Sequence, residues 1–577
     1  MLRRPSFAAV TLATVAAGAL AVAYPSDARA CGCFAQPSAA TPVVQAGERI
    51  LFAHEADQVI AYIQIKYQGA ADQFGWIVPL PSVPTLELGT DALFTMLDKS
   101  TLPQYRLTRQ QNYCGGFQPT NGDGCGAFSL GGDDTTSTSS SDMGVAFSSG
   151  DMALGGVVVE QASIGPYDYA VLKADDETAM LQWLSDNRYF VPAGTSDAAK
   201  PYIHPGAYFL ALKLRGGETT GDIAPIVLKY TSDLPMIPIT LTQVGAVENM
   251  GVLVWVAGEA RAIPRNYYHV VLDDLPVWFS NFTTYNLEMI NAVHEAPGKH
   301  GFITQYAGSS SLVVGQLDSP GRYGDLATLR AETTPSDYLH YLFAHNYRFD
   351  GTLLSILSRS IPEPQQLIDM GVPLLQFYQN YDSYSQYVPG TDPDGGAFAP
   401  FDPGPVTDEI ATRIVTPARD ANALLARHPY LTRLYTALSP KDMTIDPVFS
   451  SNRELGDVPL LHTATVTTAC SGQQWLTTDL GFEVQYLNGL PPNLNLPGAL
   501  RVELTRDAGP AELVQDNSDT IRAALGPVDH GHQTSPSDPS SGCGCTVGKR
   551  RVQTNVAVLF GLCAVGLAMR SLRRRRS

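Results

Sequence analysis

Three features of the 577-residue sequence predict an α+β fold, strand-rich on its N-terminal side and more helical later. Stretches with apolar residues at strand spacing recur between positions 50 and 272, and the helical periodicities among them are separated by several strands. Gly (51) and Pro (41) are abundant, which calls for many turns. Hydrophobic residues make up 44% and charged residues 16%, so wholesale disorder is excluded and there is ample apolar surface for cores. Only the two chain ends carry long apolar runs, which excludes a polytopic membrane protein.

The first thirty residues read as an export signal. Arg3 and Arg4 precede the apolar run Phe7 to Ala23, and Ala28-Arg29-Ala30 offers small residues where a signal peptidase cuts. Cys31 follows directly, which raises lipidation; Ala28 stands where lipoproteins carry a Leu-like residue, so plain cleavage is favoured.

Val59 to Tyr67 alternates in strand fashion, and Phe74 to Val78 is a short strand ended by prolines. Ala92 to Leu97 is expected to be a helix capped by Thr90. Residues 129–156, rich in Gly, Ser, Thr and Asp, form a low-complexity loop. Strands are expected at Tyr167 to Leu172, Tyr208 to Leu214, Ile226 to Tyr230, Ile237 to Val244, Met250 to Ala257 and Tyr267 to Leu272, with a helix at Asp175 to Asn187. Helices follow at Ser336 to His345, Asp350 to Arg359 and Ala418 to Leu438, with strands at Val458 to Cys470 and Phe482 to Leu487. The organisation is therefore a signal (1–30), an exported domain (31–335), a second region, helical then β-rich (336–505), a flexible stalk with a Cys motif (506–545) and a basic-flanked tail (546–577).

In the tail, Lys549-Arg550-Arg551 precedes the apolar run Val556 to Met569, and Arg570 with Arg573 to Arg576 closes the chain. The run spans a membrane if Val552 to Asn555 join it and the arginines snorkel. Terminal positive charge leaves the large domain outside the cytoplasm. Gly542-Cys543-Gly544-Cys545, the apolar helix and the arginine cluster resemble the myxobacterial C-terminal sorting signal. That resemblance implies processing or anchoring at Cys543 or Cys545 by an envelope sorting protease, with display at the cell surface or outer membrane. An ordinary tail anchor in the inner membrane is the alternative.

Removing both ends takes eleven of the 38 basic residues and Asp27 alone of the 56 acids, leaving 27 against 55 and a charge near −28. Such a surface repels phosphate backbones, so nucleic acid is excluded as a partner. Of eight cysteines, Cys31, Cys33, Cys114, Cys125 and Cys470 remain in the exported body as disulfide candidates. No Cys-x-x-Cys spacing suggests zinc.

Cys31-Gly32-Cys33-Phe34, Gly47-Glu48-Arg49-Ile50, Phe74 to Pro84, Ile164-Gly165-Pro166-Tyr167-Asp168 and Ser232 to Pro238 resemble an exported bacterial family, domain of unknown function 2330. The resemblance covers about Cys31 to Pro335 and implies an exported domain without bringing an activity or catalytic residues.

No reaction motif stands out. His294 and His300 are six apart across Pro297-Gly298, which does not fit a zinc-peptidase helix. His340 and His345 point in different directions on one helix. His530-Gly531-His532 lies in the stalk, and Asp392-Pro393-Asp394-Gly395-Gly396 is half of a calcium loop. Nucleophile elbows, phosphate loops and dinucleotide fingerprints are absent. No cofactor and no metal ligand set is assigned. Tyr378, Tyr381, Tyr384 and Tyr387 recur every three residues and offer ligand-contact rings if exposed. A surface binding or structural module, meeting an unidentified surface or matrix partner, is favoured. The alternative is an extracellular hydrolase assembled from Asp273, Asp274, His269 and His294.

Overall fold

Strand Val44–Glu55 is apolar on both faces: Ile50 and Phe52 enter one core while Leu51 and Ala53 enter another. A strand covered on both sides reads as a continuous apolar run, and it belongs near the centre of a sheet. The computed structural model describes residues 33–34, 44–68, 74–112, 157–189, 194–218, 222–279, 283–388, 400–486 and 494–530. The chain divides into two units, Met1–His530 and Gly531–Ser577, and the second lies outside the described residues. So do the expected loop at 129–156, Asp392 and Asp394, the expected signal and the expected sorting tail.

The fold is α+β. A ten-stranded mixed sheet runs, in spatial order, Glu512–Asp516, Ala499–Leu504, Tyr268–Leu272, Gly301–Ser309, Tyr430–Leu438, Ala246–Gly258, Val44–Glu55, Gln58–Gln68, Ile226–Thr231 and Thr85–Leu88. One face packs on a five-stranded sheet containing Gly75–Leu80, Tyr208–Leu214 and Tyr167–Lys173, with Trp76, Val78, Leu210 and Leu212 in the shared core. Over part of the other face lie helices Asp91–Thr101 and Thr416–Arg427, which cover Leu51, Tyr62 and Trp255. Thr90 caps the first of these, its hydroxyl accepting from the Ala92 N–H at 3.3 Å. A four-stranded sheet joins Gln104–Gln111 in parallel to Leu461–Thr468, followed by Gln474–Thr478 and Glu483–Gln485.

Several expectations are corrected. Ile237 to Val244 is not a strand; after Pro238 the chain makes the short helix Ile239–Thr242, because a brief apolar run carries no period that separates the two states. The expected helix Ala418 to Leu438 is the helix Thr416–Arg427 followed by the strand Tyr430–Leu438. His428-Pro429 ends the helix, and the strand then takes a place between Gly301–Ser309 and Ala246–Gly258. Strands from both sides of residue 335 thus share one sheet.

The later helices, from Leu326–Ala331 to Pro403–Ile410, have their own core around Leu339, Leu353, Ile356 and Phe377. Where the stalk is expected from Asp507, strand Glu512–Asp516 instead pairs with Ala499–Leu504 and helix Ser518–Leu525 buries Ile521. Among the described residues no helix is long and apolar enough to cross a membrane. The expected C-terminal span lies outside them.

Candidate functional site

Strand Tyr268–Leu272 ends in two carboxylates, Asp273 and Asp274, before the short helix Leu275–Phe279. Both are buried, at 0% and 2% exposure. Asp273 Oδ1 accepts from the Leu275 N–H at 3.1 Å, while its Oδ2 has no hydrogen-bond partner among the described residues. Burial pushes this carboxyl up to about 7, and Asp274, Glu288 and Glu295 add to the rise.

Asp274 meets groups brought from far along the chain. Tyr105 and His462 stand opposite each other in the parallel pair Gln104–Gln111 and Leu461–Thr468, so their rings stack at 4.8 Å. The Tyr105 hydroxyl donates to Asp274 Oδ1 at 2.8 Å, and His462 Nδ1 lies 2.7 Å from Asp274 Oδ2. Trp278 and Tyr285 pack edge-on to Tyr105 at 5.1 and 5.8 Å. Burial opposes a charge on His462, but the Asp274 hydrogen bond and negative charge outweigh it and raise the imidazole above its ordinary range.

Asp479 completes the group from the turn after Gln474–Thr478. Its Oδ2 accepts from the Thr463 N–H at 2.9 Å, and its own N–H donates to the Thr463 carbonyl at 3.0 Å. One ligating atom from each of Asp274, His462 and Asp479 falls within 4.8 Å of the others. One imidazole nitrogen and two carboxylates form a donor set suited to a divalent ion.

Tyr285 also borders a cleft of about 460 Å³ lined by Glu48, Arg49, Asp98, Gln305, Arg433 and Tyr435 among others. Arg433, 3% exposed, sits on the central strand Tyr430–Leu438. Its guanidinium donates to Gln305 Oε1 at 2.8 Å, Asp98 Oδ1 at 2.8 Å and Thr101 Oγ1 at 3.1 Å, and lies 5.3 Å from the Trp255 ring. Arg49 takes the other Asp98 oxygen at 3.0 Å. The two cations and the aspartate thus hold one another in fixed orientations on rigid elements.

The hydrolase set does not converge. His269 is buried against Glu503 and Arg261, at 3.0 and 3.1 Å. His294 Nε2 instead bonds the Ala437 carbonyl at 3.2 Å, so neither histidine joins Asp273 or Asp274. His300 bonds the Asp442 carbonyl, His340 pairs with Asp382, His345 bonds the Tyr341 carbonyl and His530 meets Glu483.

Nor do the four tyrosines form an exposed row. Tyr378 is 1% exposed with its hydroxyl on the Ile361 carbonyl, and Tyr381 is buried beside Phe377. Tyr384 and Tyr387 are half-buried against the same core. The four fall in three consecutive short helical segments, Leu374–Gln379, Tyr381–Tyr384 and Ser385–Tyr387, and all pack on one core.

Cys470 is disulfide-bonded. Cys31, Cys114, Cys125, Cys543 and Cys545 lie outside the described residues, and Cys33 is described only as part of strand Cys33–Phe34.

These arrangements depend on both halves of the chain. Residues 25–308 match a family described as "uncharacterized protein conserved in bacteria", DUF2330. This segment belongs to that family. The match stops within strand Gly301–Ser309, short of the expected Pro335. Curated proteins and solved structures returned no match. The DUF2330 segment supplies Tyr105, Asp273, Asp274, Arg49 and Asp98, whereas His462, Asp479 and Arg433 come from the chain beyond it. Of the Asp274 group the sequence singles out only the Asp doublet. His462 sits in an alternating β-branched strand, and nothing local marks it as a partner of Asp274, 188 positions away.

Proposed function

We propose that the chain is an exported, envelope-held binding module whose ligand occupies the cleft between the central sheet and helices Asp91–Thr101 and Tyr285–His294. One observation carries this reading: Arg433, Arg49 and Asp98 are locked together at a cleft edged by Tyr285 and Tyr435. The carboxylates of Glu48 and Asp98 balance the two arginines, which disfavours a strongly charged ligand. Planar polar side chains beside tyrosine rings suit a neutral, hydroxyl-rich ligand such as a matrix oligosaccharide. Titration calorimetry with soluble neutral oligosaccharides is expected to give saturable binding. Arg49→Ala and Tyr285→Ala should each weaken it by roughly tenfold or more, or about 1.4 kcal/mol. Unchanged affinity in both variants, or silence across the sugars, rejects this assignment.

The two ends of the sequence support export and anchoring. The charged start with its apolar run and Ala28-Arg29-Ala30 directs the chain out of the cytoplasm. The apolar run Val556 to Met569 and the terminal arginines hold it in the inner membrane until an envelope protease cuts near Cys543 or Cys545, one of which then anchors it at the cell surface or outer membrane. Mapping of unreduced native peptides tests this together with the disulfide. Peptides should stop near Cys543 or Cys545; an intact arginine tail in the inner membrane excludes sorting. Strand Gln104–Gln111 brings the Asn112 carbonyl within 3.8 Å of the Cys470 sulfur, two residues before Cys114. A Cys470–Cys114 peptide is therefore expected, and a Cys470 peptide linked elsewhere refutes that pairing.

A further inference from the structure

We propose that Asp274, His462 and Asp479 bind one divalent transition-metal ion, with His462 Nδ1 and one oxygen of each aspartate as ligands. The inference is independent of the saccharide reading. Three observations carry it. The donor atoms already lie within 4.8 Å of one another, and they come from three separate elements: a strand end, a strand and a turn. Each carboxylate is oriented through one oxygen, Asp274 Oδ1 by the Tyr105 hydroxyl at 2.8 Å and Asp479 Oδ2 by the Thr463 N–H at 2.9 Å. The second oxygen of Asp479 remains for an ion, and that of Asp274 is shared only with the imidazole. Outer contacts of this kind orient the ligands of metal sites.

Electrostatics supplies the third observation. Asp274 is 2% exposed, and the adjacent Asp273 is fully buried, one oxygen having no hydrogen-bond partner among the described residues. Among the described residues neither Asp274 nor Asp479 has a Lys or Arg within 4.0 Å; the only ion pair to either is His462–Asp274. Buried carboxylates are ordinarily matched by a permanent cation. Among the described residues the group within 4.0 Å that can carry positive charge is the His462 imidazole, which becomes a neutral ligand when an ion takes its place. The nitrogen favours zinc or a similar transition ion over calcium or magnesium. Three protein ligands leave a coordination position open.

The test is calorimetry of chelator-stripped full chain in detergent, with zinc chloride as titrant, alongside cobalt(II) absorption. Wild type is expected to bind one zinc saturably and to give visible cobalt bands. His462→Gln and Asp479→Asn should each weaken zinc binding by roughly tenfold or more and dim the bands. Because Asp479 is exposed, its variant carries the test even where a change at His462 disturbs folding. The double substitution His530→Gln/His532→Gln should leave the high-affinity event intact. Equal affinity in wild type, His462→Gln and Asp479→Asn overturns the proposal. So does loss of the event in the His530/His532 variant alone, or no saturable zinc binding below about 100 µM.

Discussion

Replacing Arg413 with methionine is expected to lower the unfolding free energy by about 3–5 kcal/mol, the range for stripping one partner from a buried ion pair. Arg413 and Asp222 have side chains 6% and 0% exposed and meet at 2.9 Å. The arginine lies in the π-helical turn Ala411–Val415, between helices Pro403–Ile410 and Thr416–Arg427. A π turn widens the helix locally and re-aims a side chain; here the guanidinium reaches Asp222, just ahead of strand Ile226–Thr231. Ser355 and Arg359, both on helix Gly351–Ser360, reach the same carboxylate at 2.6 and 3.4 Å, so that helix and the π turn are fastened to one acid. Losing Arg413 takes the buried cation from Asp222, which stays in the interior beside the half-exposed Arg359. Urea unfolding should show the midpoint fall with little change in slope. Asp222→Asn added to Arg413→Met should recover part of the loss, since the stranded charge goes with it. A single-variant loss below about 1 kcal/mol, the scale of a surface pair, would place this contact among the unimportant ones.

Much of the fold is legible in the sequence, and the failures share one cause. Val59 to Tyr67 is legible from its β-branched and aromatic residues, although Val59 and Ile63 enter one core and Ile60 and Tyr62 another, and Thr90 announces its helix because capping is local. Tyr208 to Leu214 is a strand with the expected bounds. Tyr430–Leu438 was not legible: Leu431, Leu434 and Leu438 fall at helical spacing, yet the strand is buried on both faces and each leucine has a core to enter. Periodicity speaks only when one face meets water. The Asp274 group was half legible for a similar reason. An acidic doublet after a strand is visible locally, but the register that sets Tyr105 against His462 joins segments some 360 positions apart, roughly as far as Thr108 is from Thr465. The tyrosine row was legible as a pattern and misleading as a surface, because the spacing says neither where the helical segments break nor what the rings face.

Acid should destabilise the protein in two stages, both traceable to the cluster of His269, Glu503, Arg261 and Arg501. An Arg261 nitrogen lies 3.1 Å from His269 Nε2, and arginine can only donate, so Nε2 is the acceptor. The imidazole is therefore neutral and carries its proton on Nδ1, which donates to Glu503 Oε2 at 3.0 Å. Burial lowers the His269 pKa, the Glu503 bond opposes this, and the nearby Arg261 charge lowers it further. Glu503 is held down to about 2, chiefly by the His269 hydrogen bond, with Arg501 adding its own at 2.9 Å. Both groups bind a proton more tightly when unfolded, so stability falls as pH falls. For His269 the loss begins as pH drops through the unfolded value near 6.5. For Glu503 the stability is present above the unfolded value of about 4.5 and disappears as pH approaches 2, a contribution of about 3 kcal/mol. Glu503→Gln should flatten the limb between pH 4.5 and 2 and lower stability at pH 7, while His269→Gln should remove the part between pH 6.5 and 4.5. An acid limb identical in wild type and Glu503→Gln would mean that the proton uptake belongs to other carboxylates.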